Sequence, residues 1–312
     1  MVIDSIVEWG GHSESLVFPD KTDYKSLLIV VGKPILKRDI VKLVNYAERF
    51  EQVKITVYNC IYDTYDLSFL ESFPFLDSFA LTAHLFKDFD QLNSIPSKIK
   101  YLRIGSTNSS RLSLSFISKF TELKTLSLEK QKRDIEVISD LKGLEKLSLR
   151  SITMPDLSFI GNTQSLKNLR LALGGTKNLD LLPDFKVLEK LDLWAINKIS
   201  NIDHIAYCTS LNKIELDQLS NVEQVKSFKN LVNLESLKLC RMKRLQSLQW
   251  LADAPNLKKL SITETTHLEP DAFLPLTKSK SLQAASIYIG RKHSFTVRDM
   301  LGLPEPEIEY DV

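Results

Sequence analysis

LKTLSL (residues 123–128), LEKLSL (144–149), LKNLRL (166–171), LEKLDL (188–193), LNKIEL (211–216), LESLKL (234–239) and LKKLSI (257–262) are copies of one template, LxxLxL. Their starts lie 21, 22, 22, 23, 23 and 23 residues apart. Self-similarity at such a period marks a stacked-repeat architecture and outranks any local reading of helix or strand. Weaker copies extend the series upstream to IKYLRI (99–104), LDSFAL (76–81) and FEQVKI (50–55) and downstream to LQAASI (282–287), which makes about eleven units.

The fourth and sixth positions of a unit, such as Leu126 and Leu128 or Leu191 and Leu193, are spaced as alternate side chains of a strand and point to one side. No unit can bury its leucines alone, so neighbours stack, their strands pair in parallel and the leucines form one continuous core. With about 4.8 Å between strands, eleven of them make a sheet on the order of 50 Å long. The second half of each unit carries further apolar anchors, as in DLSFIGN (156–162), NIDHIAYC (201–208), NVEQVKSF (221–228) and RLQSLQWLADAP (244–255), and reads as short helical or 3-10 turns. Pro74, Pro96, Pro155, Pro183, Pro255 and Pro275 all fall outside the template, as turn residues should.

From about Phe50 to Ile289 this tandem template resembles the leucine-rich repeat family. The resemblance implies an α/β solenoid, a curved horseshoe with a parallel concave sheet and short helical or 3-10 turns on the convex side. In the commonest form of the repeat the third position after the last strand leucine is Asn. Here it is Gln131, Ile152, Gly174, Ile196, Leu219, Met242 and Thr265. The pattern therefore looks more like the irregular repeats of plant disease-resistance proteins than like internalins, although internalins share the 22 to 23-residue period, and the irregular 21 to 25-residue repeats resemble plant disease-resistance-type or bacterial leucine-rich repeat proteins.

The two ends must differ from the middle, because a terminal repeat would expose its leucines. Residues 1–49 contain the apolar run SLLIVVG (26–32) and then KRDIVKLVNYAERF (37–50), with Ile40, Leu43, Val44 and Ala47 at helical spacing. A strand followed by a helix, with a hairpin ahead of them, is expected as an N-terminal αβ cap. The repeats then occupy residues 50–289, and residues 290–312 form a C-terminal cap or tail that ends acidic.

With 312 residues and 43% hydrophobic content the chain can bury a sizeable core. Its net charge of +2 provides no global field for nucleic acid or an anionic membrane. Cys60, Cys208 and Cys240 are too few and too far apart for a disulfide framework or a zinc site, which reads as reduced thiols in the cytoplasm. The start MVIDSIVEWGGHSES has no secretory pattern, and no apolar run is long enough to cross a bilayer.

If the template holds, its third, fifth and seventh positions line the open face. The fifth row runs through Arg103, Arg170, Asp192, Glu215 and Lys238, and the seventh through Arg150, Trp194, Asp217, Cys240 and Tyr288. The third row supplies Tyr101, Lys146, Lys190, Lys213 and Lys259. Trp194 stands out, because an indole on a sheet surface is the kind of anchor that interfaces use. The plainer reading packs its ring on the stems of Arg170 and Lys190. Around it Asp192, Glu215 and Asp217 lie among Arg150, Arg170, Lys213 and Lys238, either as a self-neutralised ladder or as a patch that reads a partner's charge.

Catalytic readings fail on context. Asp192 and Glu215 fall about 5 Å apart on adjacent strands, a glycosidase-like spacing, but an open sheet does not enclose a sugar or raise one acid's pKa. His12, His84, His204, His267 and His293 show no metal-ligand spacing, Gly32-Lys33-Pro34 is not a phosphate loop, and Gly10-Gly11-His12-Ser13 is not a nucleophile elbow. Tyr101, Trp194 and Tyr288 are too scattered to stack single-stranded nucleic acid. Neither cofactor nor metal is expected.

The reading is a monomeric, non-catalytic module that binds a protein partner on the concave sheet, in the manner of an inhibitor, an immunity-type protein or a regulatory subunit. Two alternatives stand beside it. The N-terminal segment could be a small functional domain carried by the repeats, or the face could bind nucleic acid.

Overall fold

All eleven template copies become strands. The computed structural model describes residues 5–9, 18, 25–58, 66–107, 112–161 and 163–306, and its contacts divide into two compact units, Met1–Leu144 and Glu145–Val312. Among the described residues the first unit contains β1 (Ser5–Trp9), β2 (Ser26–Val31), β3 (Gln52–Tyr58), β4 (Ser78–Thr82), β5 (Tyr101–Ile104) and β6 (Thr125–Glu129), each paired in parallel with the next. The second contains β7 (Lys146–Arg150), β8 (Asn168–Ala172), β9 (Lys190–Trp194), β10 (Lys213–Asp217), β11 (Ser236–Cys240), β12 (Lys259–Thr263) and β13 (Ala284–Tyr288), again parallel in chain order.

Register follows the template position for position. Leu191 lies opposite Leu169 and Ile214, and Leu193 opposite Leu171 and Leu216, so inward leucines stack on inward leucines. Leu126, Leu128, Leu191, Leu193, Ile214 and Leu216 are each at most 1% exposed. Full burial of one such side chain contributes about 1.5–3 kcal/mol, and the repeat supplies it at three positions per unit, counting the leading Leu123, Leu144, Leu166, Leu188 and Leu211.

The return segments are short 3-10 turns, among them Ser115–Lys119, Ile135–Asp140, Ser158–Ile160 and Asp203–Tyr207. Gln249–Ala252 is a single α-helical turn, α2. The expected turn in residues 221–228 does not form. There the backbone bonds sideways: Phe228 N–H donates to Trp250 O at 3.0 Å, Gln246 N–H to Glu223 O at 3.0 Å, and Lys226 N–H to the Asp203 carboxylate at 3.0 Å. With its polar groups met by neighbouring loops, this stretch can stay extended.

At the N-terminus the expected strand and helix are β2 and α1 (Lys37–Ala47). The buried stripe of α1 is Asp39, Leu43, Tyr46 and Ala47, while Ile40 and Val44 are only half-covered. Most of the stretch in which a hairpin was expected ahead of them lies outside the described residues. β1 runs parallel to β2, with Ser5 opposite Leu27 and Val7 opposite Ile29, whereas a hairpin requires antiparallel strands. At the other end α3 (Arg291–Leu301) buries Val297. Ala285 N–H of β13 donates to Pro304 O at 2.8 Å, so the tail supplies partners to the strand's outer side. Arg298 Nε adds a bond of 3.2 Å to Ile287 O.

Candidate partner-binding face

Why the chain turns where it does explains which side chains reach the open face. From β6 to β12 the residue after each strand adopts a left-handed backbone: Lys130, Ser151, Leu173, Ala195, Gln218, Arg241 and Glu264 all have φ between 50° and 68°. None is glycine, so each carries the strain that L side chains meet in that region. The bend is offset by a further ladder bond. Ser151 N–H donates to Ala172 O and Ala195 N–H to Asp217 O, both at 2.8 Å, and Leu173, Gln218, Arg241 and Glu264 repeat the pattern.

One residue later the chain points inward. Gln131, Ile196, Leu219, Met242 and Thr265 are buried at the place where Asn was missing, and a Cβ on Gly174 would fall 2.0 Å from Ile152 O. That position serves the core here. Gln131 donates to Thr107 Oγ1 at 2.6 Å, and Thr265 Oγ1 accepts from Met242 N–H at 3.4 Å.

In the second unit the outward rows align laterally. The fifth row reads Ser148, Arg170, Asp192, Glu215, Lys238 and Ser261 on successive strands, and the seventh reads Arg150, Ala172, Trp194, Asp217, Cys240, Thr263 and Tyr288. Lys190 and Lys213 oppose each other in the third row. Arg103, in β5, is exposed and belongs to the first unit, so it is described apart from the others.

The carboxylates are engaged by cations of the same face. Arg170 Nε lies 3.2 Å from Asp192, Lys213 Nζ 3.1 Å from Glu215, and Lys238 Nζ 3.9 Å from Glu215. Burial raises the Asp192 pKa above the ordinary aspartate value; Arg170 opposes the shift, while Glu215 and Asp217 add to it. Asp217 is held by a residue that the row map missed. Arg241 grips it with both forks of its guanidinium, Nε to Oδ1 at 3.0 Å and Nη2 to Oδ2 at 2.5 Å. No sequence signal marks it: the left-handed backbone after Cys240, which carries Arg241 back towards the preceding strand, has no side-chain signature.

Trp194 is half-buried, not open, and its cover differs from the expected one. The guanidinium carbons of Arg150 and Arg170 lie 5.0 and 6.0 Å from its ring centre; the sequence reading had placed Lys190 where Arg150 is. Arg150 reaches across because Ala172, between them in the seventh row, is small. The indole Nε1 is buried and has no hydrogen-bond acceptor among the described residues. Cys240, expected at an open position, is 7% exposed, and burial pushes its thiol pKa up. Cys208 is pushed up to about 12 by burial, while Cys60, His12 and the Gly10–Ser13 stretch lie outside the described residues. Tyr288 is 58% exposed beside a groove of about 730 Å³ over β10–β13, which Arg241, Thr263 and Glu305 also line.

Among the described residues no cluster of His, Cys, Asp or Glu could hold a metal ion, and no helix is long and apolar enough to cross a membrane.

No protein-family model matches the chain, and no curated protein sequence matches it. Solved structures do. An internalin from Listeria monocytogenes superimposes with a TM-score of 0.52 at 17% identity, covering 85% of this chain and 81% of its own. A leucine-rich repeat protein of Leptospira interrogans gives 0.53 at 17% identity over 86% and 74%. A chain of the Drosophila Toll–Spatzle complex gives 0.61 at 14% identity, covering 97% of this chain and 46% of its own length. The chain therefore has the leucine-rich repeat fold. The likeness to plant disease-resistance repeats gains no support from these structures, which include an internalin and another bacterial leucine-rich repeat protein.

Proposed function

We propose that the protein is a non-catalytic interaction module that binds a protein partner over the open face of β7–β11, with Trp194 at its centre. The observation that carries this reading is the composition of that face. A half-buried indole under two guanidiniums sits among ion-paired side chains in rigid, laterally aligned rows. Aromatic and arginine side chains held in place by neighbours are the usual energetic centres of interfaces. An open row of strands offers such anchors without a pocket that would shield a reaction from water. A similar fold taking part in the Toll–Spatzle complex supports the same class of role. The parallel pairing of β1 with β2 and of β2 with β3 supports reading the N-terminal segment as part of the stack, not as a separate functional head.

Capture of partners on immobilised wild-type, Trp194→Ala and Arg103→Ala protein tests the reading, with melting curves recorded for each. Species retained by the wild type and by Arg103→Ala should be lost from Trp194→Ala at an unchanged melting temperature. An unchanged set on Trp194→Ala would refute the proposed centre, and a large drop in melting temperature would make Trp194 a packing residue.

A further inference from the structure

Two carboxylates stand side by side at the centre of the β7–β11 face. Asp192 and Glu215 lie directly opposite each other on β9 and β10, an arrangement that is destabilising unless other charges intervene. Here they do. The fifth row runs Arg170, Asp192, Glu215 and Lys238 on four successive strands, so the acidic pair has a cation on either side. Arg170 Nε lies 3.2 Å from Asp192 and Lys238 Nζ 3.9 Å from Glu215, while Lys213 reaches Glu215 from the third row at 3.1 Å. In the seventh row Asp217 is gripped by Arg241, and Arg150 and Lys190 are also engaged within the chain.

The carboxylates lie beneath the cations. The side chains of Asp192 and Glu215 are 27% and 30% exposed, those of Arg170 and Lys238 50% and 52%. A partner therefore meets cations first, but cations whose counter-ions are already in place below them. Covering the face buries these pairs, and pulling one apart to receive a partner's charge of either sign would leave a buried charge unmatched, which is strongly unfavourable. Uncharged hydrogen-bonding groups are open to a partner instead, since Ser148, Asn168 and Ser236 are half-exposed on the same strands.

We infer that Asp192 and Glu215 are built-in counter-ions that hold this face neutral, and that the polypeptide segment it receives beside Trp194 is uncharged. The inference rests on the proposed function and adds the partner's chemistry to it. With a net charge of +2 the whole chain adds no strong field of its own. The selectivity of the face then resides in its carboxylates. Without them Arg170, Lys213 and Lys238 lose their partners, and the same strands would select an acidic segment.

The test pans a phage-displayed library of random dodecapeptides on the immobilised full chain, with Trp194→Ala protein used to remove peptides that bind elsewhere. Peptides kept by the wild type should average within about one charge of zero, and the Kd of a synthesised one should change less than about twofold when salt is raised about tenfold. Asp192→Asn/Glu215→Gln should instead return acid-rich peptides whose Kd rises at least about tenfold over the same salt range. Should that variant melt early, Arg170→Gln/Lys238→Gln takes its place and should return basic peptides. Acid-rich or base-rich peptides on the wild type, or neutral ones from both the wild type and the charge variant, would overturn the inference and leave the face standing. A library in which no binding depends on Trp194 would remove the face itself, and the inference with it.

Discussion

Strands β4–β6 and β7–β11 bury the same side chains and show different ones. Inward, Phe79, Leu81, Leu102, Leu126 and Leu128 of the first set are as covered as Leu147, Leu169, Leu191, Ile214 and Leu237 of the second. Outward, the first set shows Ser78, Thr82, Tyr101, Thr125 and Ser127 around only Arg103 and Glu129 as charges, with Ala80 covered. The second shows a dense array of ion pairs about one tryptophan. Stacking constrains the inward positions of every repeat alike, so the outward positions are where a repeat can specialise, and β7–β11 is where this chain has done so.

The largest effects should therefore be blind to that distinction. Leu126→Ala in β6 and Leu191→Ala in β9 should each cost about 2–5 kcal/mol in urea unfolding, because both leave a cavity in the same kind of spine. A cost at one and none at the other would break the equivalence of the inward rows. Arg241→Ala comes next. It removes a two-pronged partner from the 25%-exposed Asp217 and should lower stability by about 1 kcal/mol, and Arg241→Lys should restore only part of it.

Smaller still, Trp194→Phe should fall within about 1 kcal/mol of wild type in the same assay, because the buried Nε1 forfeits no hydrogen bond and leaving it unmet is itself a cost. The smallest effect is that of pH on Asp192. Its pKa in the folded chain is raised, so its stabilising contribution is complete below the unfolded aspartate value of 3.8 and is lost as pH rises through the raised value. Measured against Asp192→Asn, wild-type stability should decline over that window. A rise instead would mean that the Arg170 pair outweighs burial.

The repeat was legible because LxxLxL encodes strand period and stacking period at once; the positions of Leu123, Leu126 and Leu128 fix both. The outward rows followed from the same arithmetic, and Arg170, Asp192 and Glu215 fall where the template puts them. What escaped was local. The left-handed residue after each strand has no signature here, since Ser151, Leu173, Ala195 and Arg241 share no side-chain chemistry, and so the Arg241–Asp217 pair could not be foreseen. The residue before the first leucine was equally silent, although Ser210 and Asn233 bond back to Leu188 O and Thr209 O of the preceding repeat. Trp194 was placed correctly, but its cover depended on Ala172, a neighbour in space that the linear map did not weigh.

Site-specific photo-cross-linking tests the role of the β7–β11 face most directly. A photoreactive side chain is placed in turn at positions 194, 103 and 177, and the chain is irradiated with a native extract. Covalent adducts should form through position 194 and be absent at 103 and 177. Adducts that form through 103 or 177 while 194 yields none would contradict the account.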